Sequence, residues 1–140
     1  LLIELAGATP GSGYDVIAVA GNVHAAGNLN VTFLNGFQAS VQTGNTFTIL
    51  TTSGTTGFTG AFLNVANGQR LFTVDGVGSF QVNYGATHAF GAQSVVLSNF
   101  VAIPEPSTYV LLGFGSLAVC LSLRRRKNRV GRRGAFPLGQ

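Results

Sequence analysis

The amino-acid sequence predicts an all-β body followed by a single apolar helix near the C-terminal end. Three observations support this fold class. Polar and apolar residues alternate with a period of two in several segments of residues 1–101. Gly-Asn, Asn-Gly and Asp-Gly pairs separate these segments, and such residues tolerate the backbone conformations of tight turns. One uncharged segment of helical length, residues 107–123, follows the alternating region.

The alternating segments predict strands in order along the chain, which opens on an apolar run at residues 1–5. Residues 29–33 place their apolar side chains on one face, and residues 46–49, 72–75 and 80–84 do the same. Residues 17–20 and 95–97 are apolar on both faces, which predicts enclosed strands. We find no convincing helix of ten residues or more before residue 107.

The spacing of these strands fits a β-sandwich, a barrel or a β-solenoid, and the chain has no strict internal repeat. The polar faces consist of Thr, Asn, Ser and Gln rather than Lys and Glu. Charge-poor faces suit stacked strands, because polar side chains can form ladders without like-charge repulsion. They also leave edge strands open to pairing, so we expect self-association through β edges.

The charges are divided unevenly over the 140 residues, whose net charge is +4. Residues 1–103 carry one base, Arg70, and three acids, whereas the remaining residues carry seven bases and one acid. A basic surface for nucleic acid is therefore not predicted for the body.

Residues suited to catalysis or metal binding are few. The single Cys120 offers neither a disulfide framework nor a zinc site. His24 and His88 have no acidic or cysteine neighbours at ligand spacing, so no metal is predicted. Three carboxylates make an acid/base pair improbable, and Asp15 is a candidate for capping a turn or binding a cation. We expect no cofactor and no enzymatic activity.

A short rigid linker, residues 102–106, follows the body and contains Pro104, Glu105 and Pro106. Each proline fixes its own φ angle and favours an extended residue before it, which predicts a stiff connection. Ser107 then offers a hydroxyl as a helix N-cap, and Glu105 is placed to interact with the positive end of the helix dipole.

Residues 107–123 predict a transmembrane helix of about 25 Å, at about 1.5 Å per residue. The predicted span includes Ser107, Leu111, Gly113, Leu117 and Leu123. A buried core helix is the alternative, but a basic cluster follows at once: Arg124, Arg125, Arg126 and Lys127. The positive-inside rule then places the tail, residues 124–140, in the cytoplasm and the body outside.

The ordered combination of Pro104-Glu105-Pro106, the apolar segment and Arg124-Arg125-Arg126 resembles the PEP-CTERM sorting signal. The resemblance implies export through the Sec route, transient residence in the inner membrane of a Gram-negative bacterium, and cleavage by exosortase near the motif. The body would then enter the cell envelope or extracellular matrix, with exopolysaccharide and biofilm as its setting. Residues 128–140 depart from the pattern, since such signals usually end just after the basic cluster.

Residues 14–23, 27–31, 44–50 and 57–62 resemble the closing rungs of bacterial β-helical surface proteins and autotransporter passengers. This resemblance covers about residues 1–65 and implies the end of an extracellular β-helix or its sandwich-like cap. It implies no catalytic residues. We also expect residues 1–101 to be a fragment of a longer protein.

These observations predict an exported structural protein of the cell surface or matrix, with exosortase and the lipid bilayer as partners and with exopolysaccharide as a further candidate. The alternative is the end of an exported polysaccharide-acting enzyme, or of an adhesin, whose active region lies upstream of residue 1.

Overall fold

A computed structural model describes residues 1–104 and contains nine strands and one short 3₁₀ turn. The strands are β1 (Leu2–Leu5), β2 (Ile17–Val19), β3 (Val23–Ala25), β4 (Asn30–Phe33), β5 (Phe47–Thr52), β6 (Phe58–Gly60), β7 (Arg70–Phe72), β8 (Gly78–Asn83) and β9 (Ser94–Ala102). The turn, Phe37–Ser40, is the only helical element of these residues. The all-β prediction is therefore confirmed for this part of the chain.

The first six strands form three parallel pairs in chain order. β1 pairs with β4, β2 with β5, and β3 with β6. Leu2 lies opposite Asn30, Ile17 opposite Leu50 and Val23 opposite Phe58, so partners are 28, 33 and 35 positions apart. Three consecutive strands are thus each followed, in the same order and direction, by a partner about thirty residues later.

The last three strands add antiparallel partners to the middle pair. The resulting five-stranded sheet has the order β2-β5-β9-β8-β7, with β9 at its centre. β9 pairs antiparallel with both β5 and β8, and β7 pairs antiparallel with β8. This central position explains why residues 95–97 are buried on both faces, as their uninterrupted apolar character predicts.

Aromatic rings dominate the core. The ring of Phe80 lies 5.0 Å from that of Phe100 and 5.8 Å from those of Phe33 and Phe47, as centroid distances. These spacings are typical of favourable aromatic pairs. Phe80 itself is fully buried, so the predicted inward face of residues 80–84 is confirmed.

Two predicted strand faces are wrong. Residues 17–20 were expected to be enclosed, but β2 lies at the edge of its sheet, with Ala18 exposed. Phe72 and Val74 were expected to face inward, yet they are 65% and 66% exposed, and Thr73 is buried instead. The register follows from the β7–β8 hairpin, in which the Gly78 N–H donates to the Thr73 hydroxyl at 3.1 Å.

Candidate functional site

The chain enters the Pro-Glu-Pro segment directly from the central strand. β9 ends at Ala102, and the Ile103 N–H then donates to the Val77 carbonyl at 2.9 Å. The compact unit accordingly extends to Ile103, two residues beyond the predicted end of the body at 101. Pro104 has no N–H and cannot continue the ladder, so pairing stops immediately before the motif.

A β-bulge interrupts β9 shortly before this exit. Gln81 pairs with Ser98 and Ser79 with Val101, so one residue of β8 faces two residues of β9. Asn99 occupies the bulge with a left-handed backbone, at a φ of 49°. Asn and Gly are the residues that adopt this conformation most readily, so a bulge here suits the sequence.

Arg70 holds the bulge from the neighbouring part of the sheet. Its guanidinium nitrogens donate to the Asn99 carbonyl at 2.6 Å and 3.1 Å, and its Nε donates to the Ser79 hydroxyl at 3.3 Å. The Asn99 side-chain amide donates to Gln81 Oε1 at 2.6 Å. The only base of residues 1–104 thus supports the strand that leads into the motif.

The bulge determines which side chains face solvent on the way to Pro104. Phe100 turns into the core and is 3% exposed, whereas Val101 and Ile103 are 49% and 38% exposed. Without the extra residue, Phe100 would lie on the outer face, because side chains alternate along a strand. The segment 101–103 therefore presents two aliphatic side chains to solvent next to the motif.

Two shallow grooves lie along the sheet. One, of about 400 Å³, is lined by Val41, Gln42, Thr43, Phe100, Val101 and Ala102. The other, of about 470 Å³, is lined by Thr51, Thr52, Phe90, Gly91, Ala92, Gln93 and Ser94. Neither lining contains a charged side chain, so within the described residues these grooves bring no acid/base pair together.

Two aspartates bond to opposite edges of the β1–β4 sheet. The Asp15 carboxylate accepts from the Glu4 N–H at 2.9 Å, and the Asp15 N–H donates to the Glu4 carbonyl. The Asp75 carboxylate accepts from the Phe33 N–H at 2.7 Å and from the Thr32 hydroxyl at 3.3 Å. Of the two roles considered for Asp15, the structure shows capping of backbone groups.

The environment of Asp75 holds its pKa below the ordinary value of 3.8. Partial burial acts to raise this pKa, because it disfavours the charged form. The lowering comes from hydrogen bonds donated by the Thr73 side chain, the backbone of Phe33 and Val77, and the Thr32 side chain. These bonds prevail, so the carboxylate is ionised at neutral pH and serves as a fixed acceptor.

The two histidines are distant in the sequence and belong to different structural elements. His24 belongs to β3, where its Nδ1 is 3.3 Å from the Thr59 hydroxyl, and His88 lies in the segment between β8 and β9. Within residues 1–104, no group of three His, Cys, Asp or Glu side chains could hold a metal ion.

Of the predicted site residues, the structure places Pro104, which is exposed immediately after the folded unit. The others lie outside the described residues: Glu105, Pro106, Ser107, Leu111, Gly113, Leu117, Leu123, Arg124, Arg125, Arg126 and Lys127. The predicted transmembrane helix at 107–123 lies there too. Within residues 1–104, no helix is long and apolar enough to cross a membrane.

Sequence reasoning missed Arg70, Asn99 and Val77, which fix the end of β9. One signal was available. An alternating strand through residues 95–101 cannot bury both Leu97 and Phe100, and the Asn between them is a residue that tolerates a bulge. The donor that stabilises the bulge, Arg70, is 29 positions away from Asn99 and carries no such signal.

In a comparison with protein families, residues 102–127 match the PEP-CTERM protein-sorting motif. Comparisons with curated proteins and with solved structures gave no match. The matched segment includes Pro104, Glu105 and Pro106 and ends at Lys127. Such a motif marks a protein for exosortase, so the chain carries the signal of an exported protein that resides transiently in the membrane and ends in the cell envelope.

Proposed function

We propose that this chain is a non-enzymatic structural component of the cell surface or extracellular matrix, delivered there by exosortase. The observation that carries the proposal is the sorting motif at residues 102–127, which begins at the last residue of β9. A folded β body is thereby joined to its sorting signal without an intervening domain.

Each part of the signal has a separate physical role in this proposal. Pro104-Glu105-Pro106 is the segment that exosortase recognises, and the two prolines keep it extended and unpaired. Residues 107–123 hold the chain in the bilayer. Arg124, Arg125, Arg126 and Lys127 keep the tail cytoplasmic, since basic residues are retained on that side. Cleavage near Pro106 removes seven of the eight bases and leaves a weakly acidic body.

The proposed architecture of the body is the end of a parallel β-solenoid with an antiparallel cap. Support comes from the three parallel pairs, whose partners are separated by the similar intervals of 28, 33 and 35 residues. In this arrangement β1–β3 form one coil and β4–β6 form the next. Stacked coils of this kind bury a continuous core between neighbours.

The cap covers one side of the second coil. At the far edge of β4, the Val74 N–H donates a hydrogen bond to the Val31 carbonyl at 2.8 Å. β5 pairs with β9. At β6, the Phe58 N–H donates to the Ala92 carbonyl at 3.1 Å. On the opposite side, Ala18 and its strand β2 have no further strand partner among the described residues, so that side suits pairing with more β structure.

The coil arrangement is testable by disulfide trapping. In a Cys120→Ser background, Ala18→Cys combined with Thr51→Cys should oxidise readily, because these Cα partners are exposed neighbours on adjacent strands. Ala18→Cys with Thr48→Cys is the matched control and should stay reduced. Equal cross-linking of both pairs would contradict the parallel register.

The sorting role is tested by Glu105→Ala in a host with exosortase. The variant should insert into the membrane normally but should not be released, and mass spectrometry of the released wild type should find a C-terminus close to residues 104–106. Glu4→Ala, at an exposed acid of the body, is the matched control and should be processed normally. Unchanged release of Glu105→Ala, or processing in a host without exosortase, would refute the proposal.

A further inference from the structure

Four exposed apolar side chains lie at the end of the sheet from which the chain exits. They are Phe72, Val74, Val101 and Ile103, with exposed fractions of 65%, 66%, 49% and 38%. We call this set the exit face. Residues 1–104 have ten large apolar side chains that are at least 36% exposed, and four of them belong to the exit face.

Strand register brings these side chains to one surface. Phe72 lies opposite Ser79, and Ser79 lies opposite Val101, so all three point to the same side of β7, β8 and β9. Adjacent strands are about 4.8 Å apart, which separates Phe72 and Val101 by roughly 10 Å. Ser79 between them is only 3% exposed, and the Arg70 Nε donates to its hydroxyl at 3.3 Å.

The remaining two residues extend this surface to the end of the sheet. Ile103 is two residues beyond Val101 and bonds to Val77, so it lies on the same face of the strand. Val74 occupies the tip of the β7–β8 hairpin, which lies at the same end as Ala102 because Gly78 pairs with Ala102. Phe72, Val101 and Ile103 thus lie on one face of the sheet, and Val74 lies at the same end, next to the point where the chain leaves the body.

The charges near the exit face are few and opposite in sign, so they do not oppose contact with a lipid surface. Arg70 lies two residues before Phe72 on the same face of β7 and supplies the only positive side chain of residues 1–104. The nearby Asp75 carboxylate bonds to Phe33 of β4 and is thereby engaged within the body. Contact with the bilayer would therefore rest on the apolar side chains, since buried apolar area contributes to the binding of proteins at the membrane interface.

Chain length limits how far the exit face can move from the bilayer. Four residue steps connect Ile103 to Ser107, the first residue of the proposed span, which allows at most about 14 Å. The polar layer on each side of a bilayer is about 5–8 Å thick. While the span remains in the membrane, Ile103 can therefore lie at most about 6–9 Å beyond the polar layer of the bilayer.

We propose that the exit face rests on the lipid bilayer until the chain is cleaved. This inference depends on the proposed membrane span at residues 107–123. Burial of Phe72, Val74, Val101 and Ile103 in the interface adds a weak second attachment beside the helix. After cleavage this attachment alone is too small to retain the body, since even a single acyl chain gives only marginal binding.

The absence of tryptophan from the chain permits a direct test. The full chain carrying Phe72→Trp is reconstituted into vesicles of phosphatidylethanolamine and phosphatidylglycerol, and a second sample contains brominated lipid. The Trp emission should shift to the blue and lose roughly half its intensity with the brominated lipid, as expected for an interfacial ring. Leu63→Trp, at an 82% exposed position outside the exit face, is the matched control and should not be quenched.

A second substitution tests whether the face acts as a unit. Adding Val74→Glu to Phe72→Trp places a negative charge on the exit face and should reduce the quenching, whereas adding Phe90→Glu should not. Vesicle flotation of each variant is measured in parallel and reports the membrane span independently of the exit face.

Each outcome bears on the inference. Quenching at position 72 and not at 63, sensitive to Val74→Glu, supports it. Chains that float with the vesicles but show no quenching at 72, or equal quenching at both positions, overturn it and leave the span intact. Chains that do not float refute the span and, with it, this inference. If quenching occurs only when exosortase is present in the vesicles, the exit face contacts the enzyme rather than the lipid, and the inference is wrong.

Discussion

The Asp75 carboxylate accepts a hydrogen bond from the Phe33 N–H at 2.7 Å. Phe33 ends β4, and Asp75 lies in the turn that joins β7 to β8, so the bond connects the parallel strands to the antiparallel ones. A side-chain carboxylate here occupies the position at which the backbone of another strand would bond. Together with the Val74 N–H, which donates to the Val31 carbonyl, the carboxylate satisfies the far edge of β4 without a further strand.

Asp75→Ala should lower the free energy of unfolding by roughly 1–2 kcal/mol, because the Phe33 and Val77 N–H groups lose a charged acceptor. Urea denaturation of the full chain in detergent micelles measures this loss. Glu4→Ala, at an exposed acid, is the control and should change stability little.

Acid should abolish the difference between wild type and Asp75→Ala. Because the pKa of Asp75 is depressed in the folded state, its contribution is complete above the unfolded value of 3.8 and is lost as the pH falls through the lower folded pKa. The two unfolding free energies should therefore differ by a constant amount above about pH 5 and converge below 3.8. A difference that persists at the lowest pH would contradict the assigned role.

Truncation of Phe80 should destabilise the protein far more than truncation of Phe72. Phe80 is fully buried against three other rings, so Phe80→Ala should cost about 3–5 kcal/mol of unfolding free energy. Phe72→Ala removes a side chain that is 65% exposed and should cost less than about 0.5 kcal/mol. Similar losses in urea denaturation would place Phe72 in the core and reverse the observed register.

This pair also shows what the sequence could predict about the fold. Alternation correctly placed Phe80 and Val82 inward, because two hydrophobic residues with polar neighbours specify both the strand and its buried face. Around Phe72 the residues also alternate, but each face of the strand carries an apolar residue that could be buried. Leu71 lies on one face and Phe72 on the other. The hairpin register decides between them, and a shift of one residue exchanges the two faces.

The site was predictable where its chemistry is local. Pro104, Glu105 and Pro106 are adjacent, and their effect on the backbone follows from proline geometry alone. The support for the preceding strand is not local, because Arg70 and Asn99 meet only after β7, β8 and β9 have paired. Contacts that depend on strand register in this way cannot be predicted from residues that are adjacent in the sequence.

Substitutions at Asn99 should separate backbone conformation from side-chain bonding. Asn99→Val forces a β-branched residue into the left-handed region and should cost roughly 1–2 kcal/mol for the backbone, in addition to the lost bond to Gln81. Asn99→Gly loses the same bond but keeps the conformation, so its cost should be smaller by about that amount. Equal shifts of the urea midpoint would mean that the left-handed backbone contributes no strain.

Ala18→Pro should reduce self-association of the body without unfolding it. The Val19 carbonyl accepts from the Ser53 N–H of the β5 side, so the backbone groups of the adjacent Ala18 point away from β5. Proline removes this outward N–H, and its φ suits an edge strand. Sedimentation of the full chain in micelles should show fewer oligomers, whereas Ala18→Val, which keeps the N–H, should not. Unchanged association of Ala18→Pro would exclude this edge as the contact.

A flexible Gly-Ser insertion between Ile103 and Pro104 should accelerate processing. Exosortase must hold an extended segment around the motif, but the Ile103 N–H is bonded to Val77 and residues 101–103 follow the β8 ladder. If freeing these residues costs about 1 kcal/mol, an insertion that removes this need should raise the release rate by about fivefold. Pulse-chase labelling in a host with exosortase measures the rate, and the same insertion between Gly85 and Ala86 is the control. Slower release after insertion at 103 would show instead that exosortase requires the motif to stay close to the folded strand.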